Sequence, residues 1–323
     1  MPGHHEKPHP TRKLAEGSYG CVYAPPVPCK KERRTSSSHT IGKVLRQKDA
    51  IIELRISTVL RSIPDWKHYF LLQEKAKCDS SNFAHARATL SKECEIIGRA
   101  SDSDLVQLLS SYGGQILFHT PITPQFNFIG SLRHMLEACV RLEEQGVCHF
   151  DLHDGNVALD SKNTLRLLDF GSAFLGDTAD EATVRAHAYP FTPEYAPQPP
   201  ELSVQNGVAN GLSYQEAIRR TIDAKEVFHQ RQSVLGIPMK EATAALTAFW
   251  THSSSVTAGD WARVYQTHWR TWDPWAVGVM FMGILRKGHL NPTPAVKAVL
   301  TGLLKASPTS RMTAAEALEI LET

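Results

Sequence analysis

The sequence predicts an α+β chain in two lobes. A small β-rich N-terminal lobe is expected over about 12–112, and a larger, mainly helical lobe over about 113–323 with a helical insert at about 202–268. Three observations predict this. Short β-like runs separated by turn residues crowd the first third of the chain, with one helix-period segment among them. From "SLRHMLEACVRLEEQG" onward, long stretches take helical spacing. The chain has 323 residues and is 42% hydrophobic, enough to bury the core of one large or two modest domains.

Taken in order, the Pro- and His-rich residues 1–11 are expected to be a disordered tail. "KLAEGSYGCVYAP" places glycines between two β-like runs and predicts a hairpin. A polar, basic loop follows over 27–39, then the strand "TIGKVL". "KDAIIELRISTVLRSI" predicts a helix with Ile52, Ile56, Val59, Leu60 and Ile63 on its apolar face. "HYFLLQ" and "LVQLLSSYGG" predict two more strands. In the second lobe, Ser131 is expected to cap the first helix and Gly146 to end it. "NVALD" and "LRLLDF" predict short strands. "YQEAIRRTIDAKEVF" opens on the capping pair Ser213 and Glu216, and "TAAEALEILET" on Thr313 and Glu316. Trp250, Trp261 and Trp269 are expected to pack the insert onto the helical lobe.

A formal net charge of +2 gives no basic field of the kind that marks a nucleic-acid binder. Six cysteines without a CxxC pair read as reduced thiols in an intracellular, cytoplasmic protein rather than a disulfide frame. The start, "MPGHHEKPHP", has no apolar leader core. The longest apolar run, 275–285, is short of the ~20 residues that span a bilayer and predicts a buried helix, so no membrane association is expected.

The densest polar stretch is "HFDLHDGN", 149–156. His149, Asp151 and His153 could ligate Zn²⁺. Alternatively Asp151 could act as a base, while Asn156 and Asp169, at the end of a later apolar run, converge on a divalent cation through hard oxygens, which suits Mg²⁺. Gly17 and Gly20 would let backbone approach a phosphate, or simply form a hairpin turn. Lys43, flanked by apolar residues in its strand, either faces solvent or pairs with Glu53 of the next helix over an anionic ligand.

In order along the chain these residues resemble the eukaryotic-type protein kinases. "EGSYGCVY" resembles the glycine-rich loop, Lys43 the strand lysine and Glu53 its helix partner. "HFDLHDGN" resembles the catalytic loop, "DFG" at 169–171 the metal-binding triplet and "PPE" at 199–201 the end of the activation segment. "DPWAVG" at 273–278 resembles the start of the long buried helix, and Arg311 the late arginine that pairs with Glu201. The departures are Ala15 for the first loop glycine, Phe150 for an arginine, His153 for a lysine, and the long insert after Glu201. The Lys43–Glu53 spacing is also short, and Lys48 is a second candidate for the lysine. The terse "IGKVLRQKDAIIE", "SSYGG" and the long insert together resemble the divergent serine/threonine kinases of large DNA viruses, which would place the chain in host cytoplasm or virion.

The resemblance implies a bilobal kinase-like fold and transfer of the ATP γ-phosphoryl group to protein Ser/Thr hydroxyls. ATP would lie with its phosphates under the backbone of Gly17 to Gly20, in the loop that holds Ala15, Ser18 and Tyr19, with Val22 and the 110–114 segment, Ser111 and Tyr112 among it, beside the adenine. Lys43, held by Glu53, would neutralise phosphate charge, and Asn156 and Asp169 would hold Mg²⁺. Asp151 would orient the acceptor hydroxyl, His153 would contact the γ-phosphate, and His149 would be structural. Asp273 would cap its helix and bond the catalytic-loop backbone. Phe150 cannot pair with a phosphate, so one usual reason for activation-segment phosphorylation is absent. Small-molecule kinases of the aminoglycoside and choline type share a "DLHxGN"-like loop and are the alternative, with a low-activity pseudokinase scaffold behind them.

Overall fold

The computed structural model describes residues 11–17, 19–28, 39–75, 92–101, 104–123 and 125–322. The expected tail over 1–10, Ser18 and most of the basic loop lie outside the described residues. The chain divides into two compact units. One runs to Gly114 and also takes Leu168–Gly171, and the other holds Gln115–Leu167 and Ser172–Thr323.

In the first unit, β1 (Arg12–Glu16), β2 (Gly20–Ala24) and β3 (Thr40–Arg46) are followed by α1 (Gln47–Leu60) and α2 (Trp66–Tyr69). Then come β4 (Glu74–Lys75), α3 (Glu95–Arg99) and β5 (Leu105–Ser111). The strands form an antiparallel sheet in the order β1-β2-β3-β5-β4. The register sets Val22 opposite Lys43, and Lys43 opposite Leu108. β3 is therefore paired on both sides, which fixes the direction of its side chains.

Three expectations are corrected here. "HYFLLQ" is not a strand: its first residues finish α2, Phe70 makes a single bridge, and the next strand is β4. The buried stripe of α1 is Ala50, Glu53, Ile56, Ser57 and Leu60, while Ile52 faces outward. A charged residue lies in the stripe because it meets a charged partner on β3, which an apolar count cannot register. The reduced-thiol reading fails for one pair, since Cys21 and Cys94 form a disulfide. Both sulfurs sit in an apolar cluster with Tyr23, Val44, Ile97 and Leu105. The bridge joins β2 to the residue before α3, 73 positions on. By loop-closure entropy such a link stabilises the fold by about 4 kcal/mol. Cys139 and Cys148 are free and buried.

The second unit begins with β6 (Gln115–Ile116), α4 (Phe128–Glu144), β7 (Val147–Cys148), β8 (Val157–Leu159), β9 (Leu165–Leu167) and β10 (Phe174–Leu175). The strands form small antiparallel pairings, β6-β8-β9 and β10-β7. Asn127, not Ser131, caps α4, accepting from the Gly130 N–H at 3.0 Å. Ser131 is buried one turn inside. The helix stops before Gly146, whose φ of +67° suits a residue without Cβ. Short α5 (Glu181–Ala186) precedes the helices of the insert: α6 (Pro200–Ala209), α7 (Tyr214–Ala224), α8 (Glu226–Gln230), α9 (Met239–His252), α10 (Ser254–Thr257) and α11 (Trp261–His268). Ser213 Oγ accepts from the Glu216 N–H at 3.2 Å, as its capping spacing predicts. Trp250 stacks on Tyr214 and leans on Trp261.

The chain then runs through α12 (Trp272–Lys287), α13 (Pro294–Leu303) and α14 (Ala314–Glu322). α12 is buried on nearly every side, with Trp272, Trp275, Val277, Phe281 and Met282 inside. At roughly 1.5–3 kcal/mol per large apolar side chain it anchors the unit. Among the described residues no helix is long and apolar enough to cross a membrane.

Candidate active site

The sheet of the first unit positions Lys43. The residue is 6% exposed and points to the face covered by α1. There Nζ donates to Glu53, itself 1% exposed, and to Asp169 Oδ1 at 2.8 Å. One ammonium thus serves two carboxylates. Burial works against charge on Lys43, but the two carboxylates outweigh it and hold the lysine cationic. Burial, against the pull of Lys43 and with the help of Asp169, pushes the Glu53 carboxyl up to about 7. Asp169 resolves the other way. Its burial is outweighed by Lys43, and it stays below the usual carboxylate range. Asp169 remains about a third exposed at its side chain and adopts φ +63°. Glu53 Oε2 is buried with no hydrogen-bond partner among the described residues.

Around this set, Gly17 N–H donates to Gly20 O at 2.9 Å and closes the β1–β2 turn. The two glycines differ in their surroundings. A Cβ on Gly20 would come within 2.5 Å of the Val44 carbonyl oxygen, so β3 demands the glycine. Among the described residues, a Cβ on Gly17 would meet nothing nearer than Gly20 O at 3.9 Å. Ala15 pairs with Val22 across the hairpin, and Tyr19 is half-buried. Ser111 and Tyr112 are exposed at the end of β5. Lys48 does not compete with Lys43. It lines a separate cavity of about 340 Å³ with Tyr19, Arg46, Asp49 and Arg99.

The second unit carries the 149–156 loop. Asp273 accepts from the N–H groups of His149 (2.7 Å) and Phe150 (3.0 Å). It lies inside the first turn of α12 and does not cap it; its carboxylate is spent on the loop instead. Burial pushes its carboxyl up, although His149 and the two N–H groups oppose the shift. Phe150 sits at φ +68°, a costly region for a bulky residue. An aromatic box of Phe174, His187, Tyr265 and Trp272 holds it there, with the His187 ring centroid 4.5 Å away. The His187 ring nitrogens lie 2.8 and 2.9 Å from the carbonyl oxygens of Thr183 and Ser172, which fastens the segment after the DFG triplet.

Asp151 is held from several sides. Asn156 Nδ2 donates to its carbonyl (2.9 Å) and its Oδ2 (3.2 Å). Gly155 N–H donates to His153 Nδ1, so the neutral ring carries its proton on Nε2, 3.9 Å from Asp151 Oδ2. The Tyr195 hydroxyl donates to Asp151 Oδ1 at 2.6 Å. This last contact had no signal in the sequence beyond the tyrosine's place in "TPEYAPQPPE". The zinc alternative is not supported. His149 accepts from the Asp151 N–H through Nδ1, and His153 is engaged with Gly155. The one triad of ligand-type residues among the described residues is Glu16, Cys21 and Cys94, whose cysteines are joined as the disulfide. In the second unit Asn156 spends its amide nitrogen on Asp151 and keeps its oxygen, a hard neutral donor. In the first, Asp169 is an ionised and part-exposed carboxylate.

Away from the loop, Arg311 grips Glu201 with two parallel bonds of 2.8 and 2.7 Å, both side chains fully buried. Trp272 Nε1 adds a third bond at 2.9 Å, and the guanidinium lies over Trp275. A cavity of about 920 Å³ opens beside the catalytic-type loop, lined in part by His153, Asp154, Ala196, Pro197, Met280 and Ile284.

The structure brings Lys43, Glu53 and Asp169 together in the first unit, and Asp151, His153 and Asn156 together in the second. Comparison with family models and with curated protein sequences returns no match for this chain.

Proposed function

We propose that this chain is an ATP- and Mg²⁺-dependent protein kinase that transfers the γ-phosphoryl group to Ser/Thr hydroxyls. The observation that carries the proposal is the shared lysine. Lys43 is buried, cationic and held by Glu53, and it steadies an ionised Asp169. A structural ion pair needs one carboxylate, not two. The surplus negative charge suits a divalent cation, and a fixed ammonium suits the phosphates.

In this reading Lys43 neutralises charge on the α- and β-phosphates, and the turn at Gly17 admits them to backbone N–H groups. Asp169 and Asn156 would hold Mg²⁺, which would offset charge on the transferring group. Asp151, oriented by Asn156, takes the proton of the acceptor hydroxyl. His153 offers its Nε2–H on the acceptor side. The aromatic box around Phe150 replaces an arginine–phosphate contact, so activity is not expected to need activation-segment phosphorylation. The buried Glu201–Arg311 pair supports the reading by fixing the end of that segment.

The test is transfer from radiolabelled ATP with Mg²⁺ to three acceptor sets: mixed proteins, a peptide library, and aminoglycosides with choline. Label on serine and threonine of proteins or peptides is expected. Label on the small molecules alone would move the assignment to a small-molecule kinase.

A further inference from the structure

We propose that Tyr195 is a built-in competitor for the acceptor, a residue that sets how tightly an acceptor must bind before its hydroxyl reaches Asp151. The inference rests on the kinase reading of Asp151. Tyr195 Oη donates to Asp151 Oδ1 at 2.6 Å, the bond that an acceptor hydroxyl would have to make with its base. The other carboxylate oxygen already accepts from Asn156. An incoming hydroxyl therefore finds its place on Oδ1 taken by a phenol.

The contact is built rather than incidental. The Tyr195 carbonyl accepts from Lys225 Nζ, a lysine with no exposed surface. The next carbonyl, of Ala196, accepts from Trp275 Nε1 at 3.0 Å. The Tyr195 N–H closes a turn onto Thr192 O at 3.0 Å. With its backbone pinned three times, Tyr195 can leave Asp151 only by turning its side chain. The side chain is 39% exposed, so there is room for that turn. Burial and then the Asp151 carboxylate hold the phenol well above its usual range, so it stays a donor. A hydroxyl–carboxylate bond is charge-assisted and among the stronger kinds. Because the competitor is tethered, only an acceptor with binding energy from the rest of its chain displaces it, which favours polymeric acceptors over free small alcohols.

The direct test is Tyr195→Phe, which keeps the ring and removes the hydroxyl. With a synthetic peptide mixture carrying one central Ser or Thr, the apparent KM is expected to fall about tenfold with kcat retained, as one charge-assisted bond no longer opposes binding. A fall in kcat at unchanged KM would overturn the proposal, because Tyr195 would then be positioning Asp151. The contact itself is read without activity by ultraviolet titration of phenol ionisation. The tyrosine that disappears in Tyr195→Phe should ionise at lower pH in Asp151→Asn, and no change there would also overturn it. If no acceptor is labelled by any variant, the kinase reading fails and the competition role falls with it, while the titration still reports the bond.

Discussion

Two buried ion pairs among the described residues, one in each unit, are built differently. Glu201 and Arg311 form a closed pair: one charge of each sign, both carboxylate oxygens bonded, no exposed surface, and an indole N–H besides. The Lys43 set is open: two carboxylates share one ammonium, Asp169 is partly exposed, and one oxygen of Glu53 is buried without a hydrogen-bond partner among the described residues. A closed pair can only hold structure. An open one has capacity left for a ligand of opposite charge. In the proposed reading, the difference separates a residue kept for folding from one kept for chemistry.

Breaking the closed pair should have the largest effect on stability. Arg311→Met leaves Glu201 buried and unpaired, at an expected cost of about 3–5 kcal/mol in denaturant unfolding. The double variant Glu201→Met with Arg311→Met should recover part of that. An Arg311→Met protein as stable as wild type would erase the contrast. The open set should respond in the opposite way. Asp169→Asn leaves Lys43 still paired with Glu53, so stability should change by less than about 1 kcal/mol while Mg²⁺-dependent turnover is lost.

The pH dependence sharpens the comparison. Glu53, raised to about 7 mainly by burial, binds a proton more readily folded than unfolded. Its contribution is therefore favourable at low pH and is lost as pH rises from about 4.5 to 7. Lys225 in the second unit is pushed down to about 7 by burial. Between about 7 and 10.5 the unfolded chain holds the extra proton, so stability rises with pH there. Glu53→Gln should flatten the first window and Lys225→Met the second, measured by denaturant midpoints across pH. The smallest expected effect is Ser213→Ala, which removes the cap of the second helix of the insert at a cost of about 1 kcal/mol.

The sequence carried some of this and not the rest, for reasons visible in particular residues. Lys43 and Glu53 were legible because a lysine amid apolar strand residues and a glutamate in the next helix each need an explanation that the other supplies. The Glu201–Arg311 pair was legible only through the kinase resemblance, since 110 positions separate its partners. Caps at Ser213 and Thr313 were legible because capping is local. On α1, Ile56, Leu60 and Ile63 are buried as expected, but Ile52 is not and Glu53 was left out, because hydrophobic periodicity gives a glutamate no weight toward burial. The disulfide was missed because Cys21 and Cys94 meet only through sheet topology. Tyr195 was missed because its bond to Asp151 depends on how a loop of prolines returns to the site, which no periodicity encodes.

The central claim is that the open set around Lys43 serves phosphoryl transfer, and Asp169→Ala tests it most directly. Wild type and variant are compared for label transfer from ATP with Mg²⁺, at matched folded fractions measured by circular dichroism. The account predicts loss of at least about a hundredfold in turnover, because the main anionic ligand of the metal is gone. A folded Asp169→Ala protein that turns over at the wild-type rate would contradict it.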